Sequence, residues 1–386
     1  MNEPQTNGTQ PAVSPDPGSV TRRRFWQVGA AAALTVGAAT FLPGNSAGAA
    51  TSRPSGKPSS TASSTPTSSP SSTSSGGTTS TYYFDEASAL AGTNPILTDL
   101  VTTLTSGFTP PHPDAPDPTM IFDDVAVLSV GWVSATAILT SDGIILIDSL
   151  TSPSDAENTI AAGLQTLGYD PSTIKYVVVT HAHPDHYAGA QYLADTYGAR
   201  VMMSPTDWTT LAGSSGSNIP TRDLDISDGE RLTLGDTTIT LHYTPGHTPG
   251  TVSAIFPVTW QNAAHTAMLW GGTGVPTATA DKETYLSSAI SFASTMSQQG
   301  VDVELNNHAF ADYGLERMAE LSSTDNPFVV GTSDTQLFME VMQDMLNGRI
   351  LEDGESSSSS TTVTTAAFTT GAAVAATATH KGACNC

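Results

Sequence analysis

The sequence predicts a layered α/β fold. Between residues 143 and 203, apolar runs suited to strands alternate with stretches of helical spacing, an order that builds a helix-covered sheet. A second group of apolar runs follows between residues 232 and 305, and polar turns carrying histidine end three of the runs.

Taken in order, residues 125–130 and 134–139 alternate like half-buried strands, and 143–148 reads as a more buried one. Residues 155–167 place apolar side chains at helical spacing. The turn Gly168-Tyr169-Asp170-Pro171-Ser172 then leads into a buried strand at 174–179. A helix is expected over 188–197 and a strand over 200–203. In the second group, 232–243 reads as a hairpin-like pair of strands, with further strands at 251–256, 267–270 and 301–305. A helix is expected over 282–296 and a closing amphipathic helix over 336–346.

This body, residues 82–352, lies between ends of another character. Thr21-Arg22-Arg23-Arg24-Phe25, a mild apolar run at 28–42 and Ala47-Gly48-Ala49 match a twin-arginine export signal over 1–49, cleaved before Ala50. The run is too short and mild for a membrane span. Exit through the twin-arginine machinery would make the protein secreted or wall-associated. Residues 50–81 are almost wholly Ser, Thr, Pro and Gly, and 353–386 return to Ser, Thr and Ala, so a flexible linker and a disordered tail are expected.

Charge and cysteine narrow the function. Lys and Arg number 13 against 36 Asp and Glu, a formal net charge of −23. Such a chain offers no basic face for nucleic acid. The only cysteines, Cys384 and Cys386, sit at the very end, so the body holds no disulfide framework and no thiolate site.

Chemistry concentrates at His181-Ala182-His183-Pro184-Asp185-His186, directly after the strand at 174–179. A strand ending in a turn can fan side chains toward one point, so His181 and His183 can share an ion while Asp185 and His186 reach a second. Imidazole and carboxylate without thiolate suit Zn²⁺, which lowers the pKa of a bound water toward neutrality. His247 lies in Thr244-Pro245-Gly246-His247-Thr248-Pro249-Gly250 after the hairpin, and His308 follows Asn306-Asn307 after the last strand. Each alone would be an ordinary satisfied histidine; their common place at strand ends points to convergence. His112, His242, His265 and His380 lack that setting.

These motifs resemble the metallo-β-lactamase fold superfamily over most of residues 120–350. Gly198-Ala199-Arg200-Val201, the segments 226–232 and 234–242, and Asn326-Pro327-Phe328-Val329 are similar to its third lactamase subclass. The resemblance implies a four-layer αβ/βα sandwich and two Zn²⁺. His181, His183 and His247 would hold the first ion, and Asp185, His186 and His308 the second. A hydroxide between the ions would attack a carbonyl, with Asp185 as the catalytic carboxylate and Asp148 in a supporting role. Many hydrolases of the superfamily carry a bridging aspartate after the strand that here is 267–270. This chain reads Gly271-Gly272-Thr273-Gly274, which is lactamase-like and leaves Thr273 as the hydroxyl expected to touch a small-molecule substrate. The second histidine, where redox di-iron relatives carry Glu, favours hydrolysis. A cyclic amide such as a β-lactam is thus the expected substrate. The alternatives are a lactone, ester or thioester hydrolase on the same core, or a non-enzymatic surface-displayed module.

Overall fold

Successive side chains along the central strands enter different cores, and that alternation defines the layers. The computed structural model describes residues 78–367, with side chains to residue 356. The export signal, nearly all of the linker and the final part of the tail with Cys384 and Cys386 lie outside the described residues.

Seven strands form the first sheet in sequence order: β1 (Thr119–Phe122), β2 (Val125–Ser129), β3 (Ser134–Thr140), β4 (Gly143–Ile147), β5 (Ile174–Val178), β6 (Arg200–Met203) and β7 (Leu224–Asp225). The first four are antiparallel neighbours. From β4 onward the pairs are parallel, because helices return the chain between β4, β5 and β6. The second sheet contains β8 (Glu230–Leu234), β9 (Thr237–Tyr243), β10 (Val252–Trp260), β11 (Ala263–Trp270) and β12 (Val303–Asn306). Its order is β12-β11-β10-β9-β8, and only β11 and β12 are parallel.

Val177 and Val179 pack with Ile160, Leu164 and Leu193 under the helices that flank the first sheet, whereas Val178 between them joins the core shared by the two sheets. In β11, Ala267 and Leu269 enter that shared core. Met268 and Trp270 face the helices Ser80–Ala91, Pro95–Leu104, Thr279–Gln299 and Thr332–Ala367. The succession is helix, sheet, sheet, helix: the four-layer αβ/βα sandwich. Each fully buried Leu, Ile or Val contributes roughly 1.5–3 kcal/mol, so this doubled core supplies the main driving force.

Several elements differ from the sequence reading. The helix expected over 155–167 starts at Pro153 behind its Ser152 cap and widens into a π turn over Ala156–Ala161. Two unexpected helices, Ser80–Ala91 and Pro95–Leu104, precede β1. Each begins on a side-chain cap, from Thr79 and from Asn94 with Pro95 at the first helical position. The closing helix runs Thr332–Ala367 rather than 336–346. Its apolar spacing fades after Leu346, but polar contacts continue past residue 352, where the tail was expected to start. Lys282 Nζ pairs with Asp353 at 2.6 Å, and Ser80 Oγ donates to Glu355 at 2.6 Å. Among the described residues, no helix is long and apolar enough to cross a membrane.

Candidate metal centre

β5 ends at Val178 and the chain turns at once. The Val252 N–H donates to the Thr180 carbonyl at 2.8 Å, tying the two sheets where the histidine turn begins. Pro184, with its φ already helical, opens the short helix Pro184–Tyr187, which carries Asp185 and His186 back toward the strand ends. His247 enters from the turn between β9 and β10, and His308 from the turn after β12.

The six expected ligands gather in two sets of three, His181 with His183 and His247, and Asp185 with His186 and His308. In the first, His247 Nε2 lies 3.1 Å from His181 Nε2 and 3.0 Å from His183 Nδ1. In the second, Asp185 Oδ2 lies 3.0 Å from His186 Nε2 and 3.6 Å from His308 Nε2. Four rings are oriented from behind. The Nδ1–H of His181 donates to the Gly271 carbonyl at 2.7 Å, and that of His247 to the Gly274 carbonyl at 2.6 Å. The Nδ1–H of His308 donates to the Trp132 carbonyl at 3.0 Å, and that of His186 to Asp148 Oδ2 at 2.8 Å. Such outer bonds fix the tautomer and leave each Nε2 as a bare acceptor.

These residues fit a pair of divalent ions. Asp185 Oδ2 and His186 Nε2 are buried and face each other, yet neither has a hydrogen-bond partner. Two buried acceptors so placed call for a cation between them, and an imidazole–carboxylate donor set suits zinc. The electrostatics agree. Burial, reinforced by neighbouring imidazoles, holds His181 and His247 well below the usual imidazole range. Burial also pushes His308 down to about 4. For His186 burial works in the same direction, but Asp185 and Asp148 on either side outweigh it and raise the ring to about 10. Burial would raise Asp185, but His186 and then His308 outweigh it and hold the carboxyl far below its ordinary value.

Asp148 lies directly behind the second ligand set. It is fully buried, and its φ of 63° is in the left-handed region that non-glycine residues rarely occupy. That conformation lets Oδ1 accept the Thr180 N–H at 2.8 Å, while Oδ2 accepts His186 Nδ1–H, the Thr180 hydroxyl and Asn307 Nδ2. Thr273 lies on the cavity wall, but its hydroxyl donates to Asn306 Oδ1 at 2.9 Å. The hydroxyl proton expected for substrate is therefore engaged inside the protein.

Asp207 escaped the sequence reading. Its buried Oδ2 accepts the Ala182 N–H at 2.8 Å and the Thr248 hydroxyl at 2.7 Å, so one carboxylate straps both histidine-bearing turns of the first set. Ser204-Pro205-Thr206-Asp207 could have been read as a helix start, since Ser204 caps the helix Pro205–Ala212, but nothing local marks its reach across the fold. Trp132, which holds His308 and stacks on its ring at 5.8 Å, was missed likewise.

The glycines at 271 and 272 are sterically required. A Cβ at Gly271 would stand 1.8 Å from the Val252 carbonyl oxygen, and one at Gly272 would stand 2.8 Å from His247. No aspartate can enter at either position without displacing β10 or a ligand. In front of the centre, His183, His247 and His308 border a cavity of about 330 Å³ walled by Phe108, Phe310 and Val275.

Known proteins are similar to this chain in sequence and fold. Residues 129–258 match the family model of the metallo-beta-lactamase superfamily. Among curated relatives, the hydroxyacylglutathione hydrolase of Acidiphilium cryptum is 31% identical over 108 residues, 28% of this chain and 40% of that protein. The enzyme of the same name from Pseudomonas aeruginosa is 35% identical over 81 residues, 21% of this chain and 28% of that protein. The chain therefore spans well under half the length of these curated relatives. Solved structures extend the likeness along the fold. A subclass B3 metallo-beta-lactamase of Bradyrhizobium japonicum aligns with a TM-score of 0.53 at 23% identity, covering 65% of this chain and 97% of that one. The native metallo-beta-lactamase from Legionella gormanii aligns with a TM-score of 0.53 at 25% identity, covering 62% and 96%. The matched segment lies inside a fold that these solved structures share, and the two ligand sets stand at its strand ends.

Proposed function

We propose that this protein is an exported di-zinc hydrolase that opens a cyclic amide, with β-lactams as the substrate class. The observation that carries the reading is the second ligand set, where buried Asp185 Oδ2 and His186 Nε2 face each other without partners beside His308. Two zinc ions would supply Lewis-acid polarisation of a carbonyl and activation of water near neutral pH. The chain itself holds and orients. Asp148 and the carbonyls of Gly271, Gly274 and Trp132 lock four imidazoles, and Asp185 Oδ2 is placed to anchor an ion and take up a proton. Phe108, Phe310 and Val275 present an apolar wall to the substrate and thin the water around the reacting carbonyl.

Thioester hydrolysis is the second reading, favoured by the hydroxyacylglutathione hydrolases among the curated relatives. The glycines at 271 and 272 weigh against it, since they exclude the bridging aspartate expected of such enzymes. The deciding experiment assays the zinc-loaded full chain against a chromogenic β-lactam, a lactone and a thioester, with elemental analysis of the same preparation. Two zinc ions per chain and preferential β-lactam turnover are expected. Thioester turnover alone would transfer the protein to the second reading, and one ion or none under zinc-replete conditions would end the di-zinc proposal.

A further inference from the structure

Resting on the hydrolase reading above, the geometry points to Arg349 as a specificity-determining residue that anchors a carboxylate on the substrate. Arg349 is the one Lys or Arg side chain among the described residues lining the cavity that His183, His247 and His308 also border. It comes from the helix Thr332–Ala367, outside the segment that matches the family model.

Its side chain is only 13% exposed and is held on one edge. Nη1 donates to the Leu104 carbonyl at 2.8 Å, at the end of the helix Pro95–Leu104, and Nε lies 3.1 Å from Glu352 Oε2. Nη2 is the remaining end of the fork. A guanidinium carries five donors in a rigid plane, so the Nη1 hydrogen bond and the Glu352 ion pair together restrict how the fork sits at the cavity. Docking of the helix sets the height of the fork. One turn farther on, Asp353 takes Lys282 Nζ at 2.6 Å and the Thr279 hydroxyl at 2.6 Å. Asp281 also lines the cavity, so Arg349 must act at short range through directed hydrogen bonds rather than through the field of the wall. Phe108 and Phe310, with ring centroids 5.4 Å apart, add an aromatic face to the same cavity. The substrate class is then an acyl compound with an apolar or aromatic flank and a carboxylate set away from the scissile bond.

The test separates this anchor from turnover. The probe is 2-benzyl-3-mercaptopropanoate, compared with its neutral primary amide, titrated calorimetrically into the zinc-loaded full chain. The acid should bind at least about tenfold more tightly than the amide, since hydrogen bonds to charged groups are the strong ones. Arg349→Gln should erase that preference while leaving amide affinity unchanged, and the unchanged amide is also the control for folding. Arg349→Lys should retain part of the preference. Equal binding of acid and amide by the parent protein, or an undiminished preference in Arg349→Gln, would overturn the proposal. Equal weakening of both probes would also overturn it, by reducing Arg349 to support of the wall. A parent protein that prefers the acid but hydrolyses no β-lactam would instead refute the substrate assignment and leave the anchor in place.

Discussion

The Thr273 hydroxyl donates to Asn306 Oδ1 at 2.9 Å, and the same oxygen accepts the backbone N–H of His308 at 3.0 Å. Thr273 therefore reaches the centre through the residue that seats a ligand. Thr273→Val preserves shape and breaks the relay. The expected effect is a loss of second-site zinc affinity of up to about tenfold, the worth of one ordinary hydrogen bond, with KM unchanged. Chelator competition beside steady-state kinetics checks it. A raised KM with intact zinc affinity would show instead that the hydroxyl serves the substrate.

Asp185 is the only carboxylate among the six ligands. Asp185→Asn keeps its volume but removes the charge that would anchor the second ion and take up a proton. Turnover is expected to fall on the order of 10²-fold or more even when zinc is restored by excess metal. Near-full activity in the metal-saturated variant would remove Asp185 from the chemistry.

Asp207→Asn tests the strap between the two turns. A neutral amide oxygen accepts the Ala182 N–H and the Thr248 hydroxyl more weakly than the carboxylate does, and the amide NH2 must then be buried at the place of Oδ1. The cost should be about 1.5–3 kcal/mol in urea unfolding. Burial raises the Asp207 carboxyl above its ordinary range despite those two bonds. A raised folded pKa gives stability that is full below the unfolded carboxyl value and fades as pH rises through the folded value. The variant should lose that acid-range slope, which unfolding at several pH values will reveal.

Export is tested by replacing Arg22, Arg23 and Arg24 together with Lys, which keeps charge and removes the guanidinium pair. Uncleaved precursor should accumulate in the cytoplasm, as fractionation would detect. Unchanged release of mature protein would assign export to another route.

The centre was largely legible in the sequence because each ligand stands just past an apolar run, where a strand must end. His181, His183, His247 and His308 could be placed by that rule alone. What lay behind them could not. Asp207 meets Ala182 and Thr248 from 25 and 41 positions away, and Asn307 reaches Asp148 across 159. No local pattern encodes such meetings, which arise only once the sheets pack. The first helix was missed for a different reason. Ser80–Ala91 mixes Tyr, Asp, Glu and Ser without a clean apolar stripe, and its order comes from Thr79 and from the helix Thr332–Ala367, whose Glu355 holds Ser80. Arg349 lay inside the predicted body, but helical spacing does not tell which cavity an arginine will border.

The backbone at Gly271 and Gly272 has one more consequence, for the balance of charge. With no second carboxylate able to enter, two dications would be held by one aspartate and five neutral imidazoles. The loaded centre keeps a large residual positive charge inside a chain whose net charge is −23. Small inorganic and organic anions should collect there rather than on the acidic surface. Phosphate or citrate in a preparation will then compete with substrate, and the choice of buffer becomes part of the measured activity.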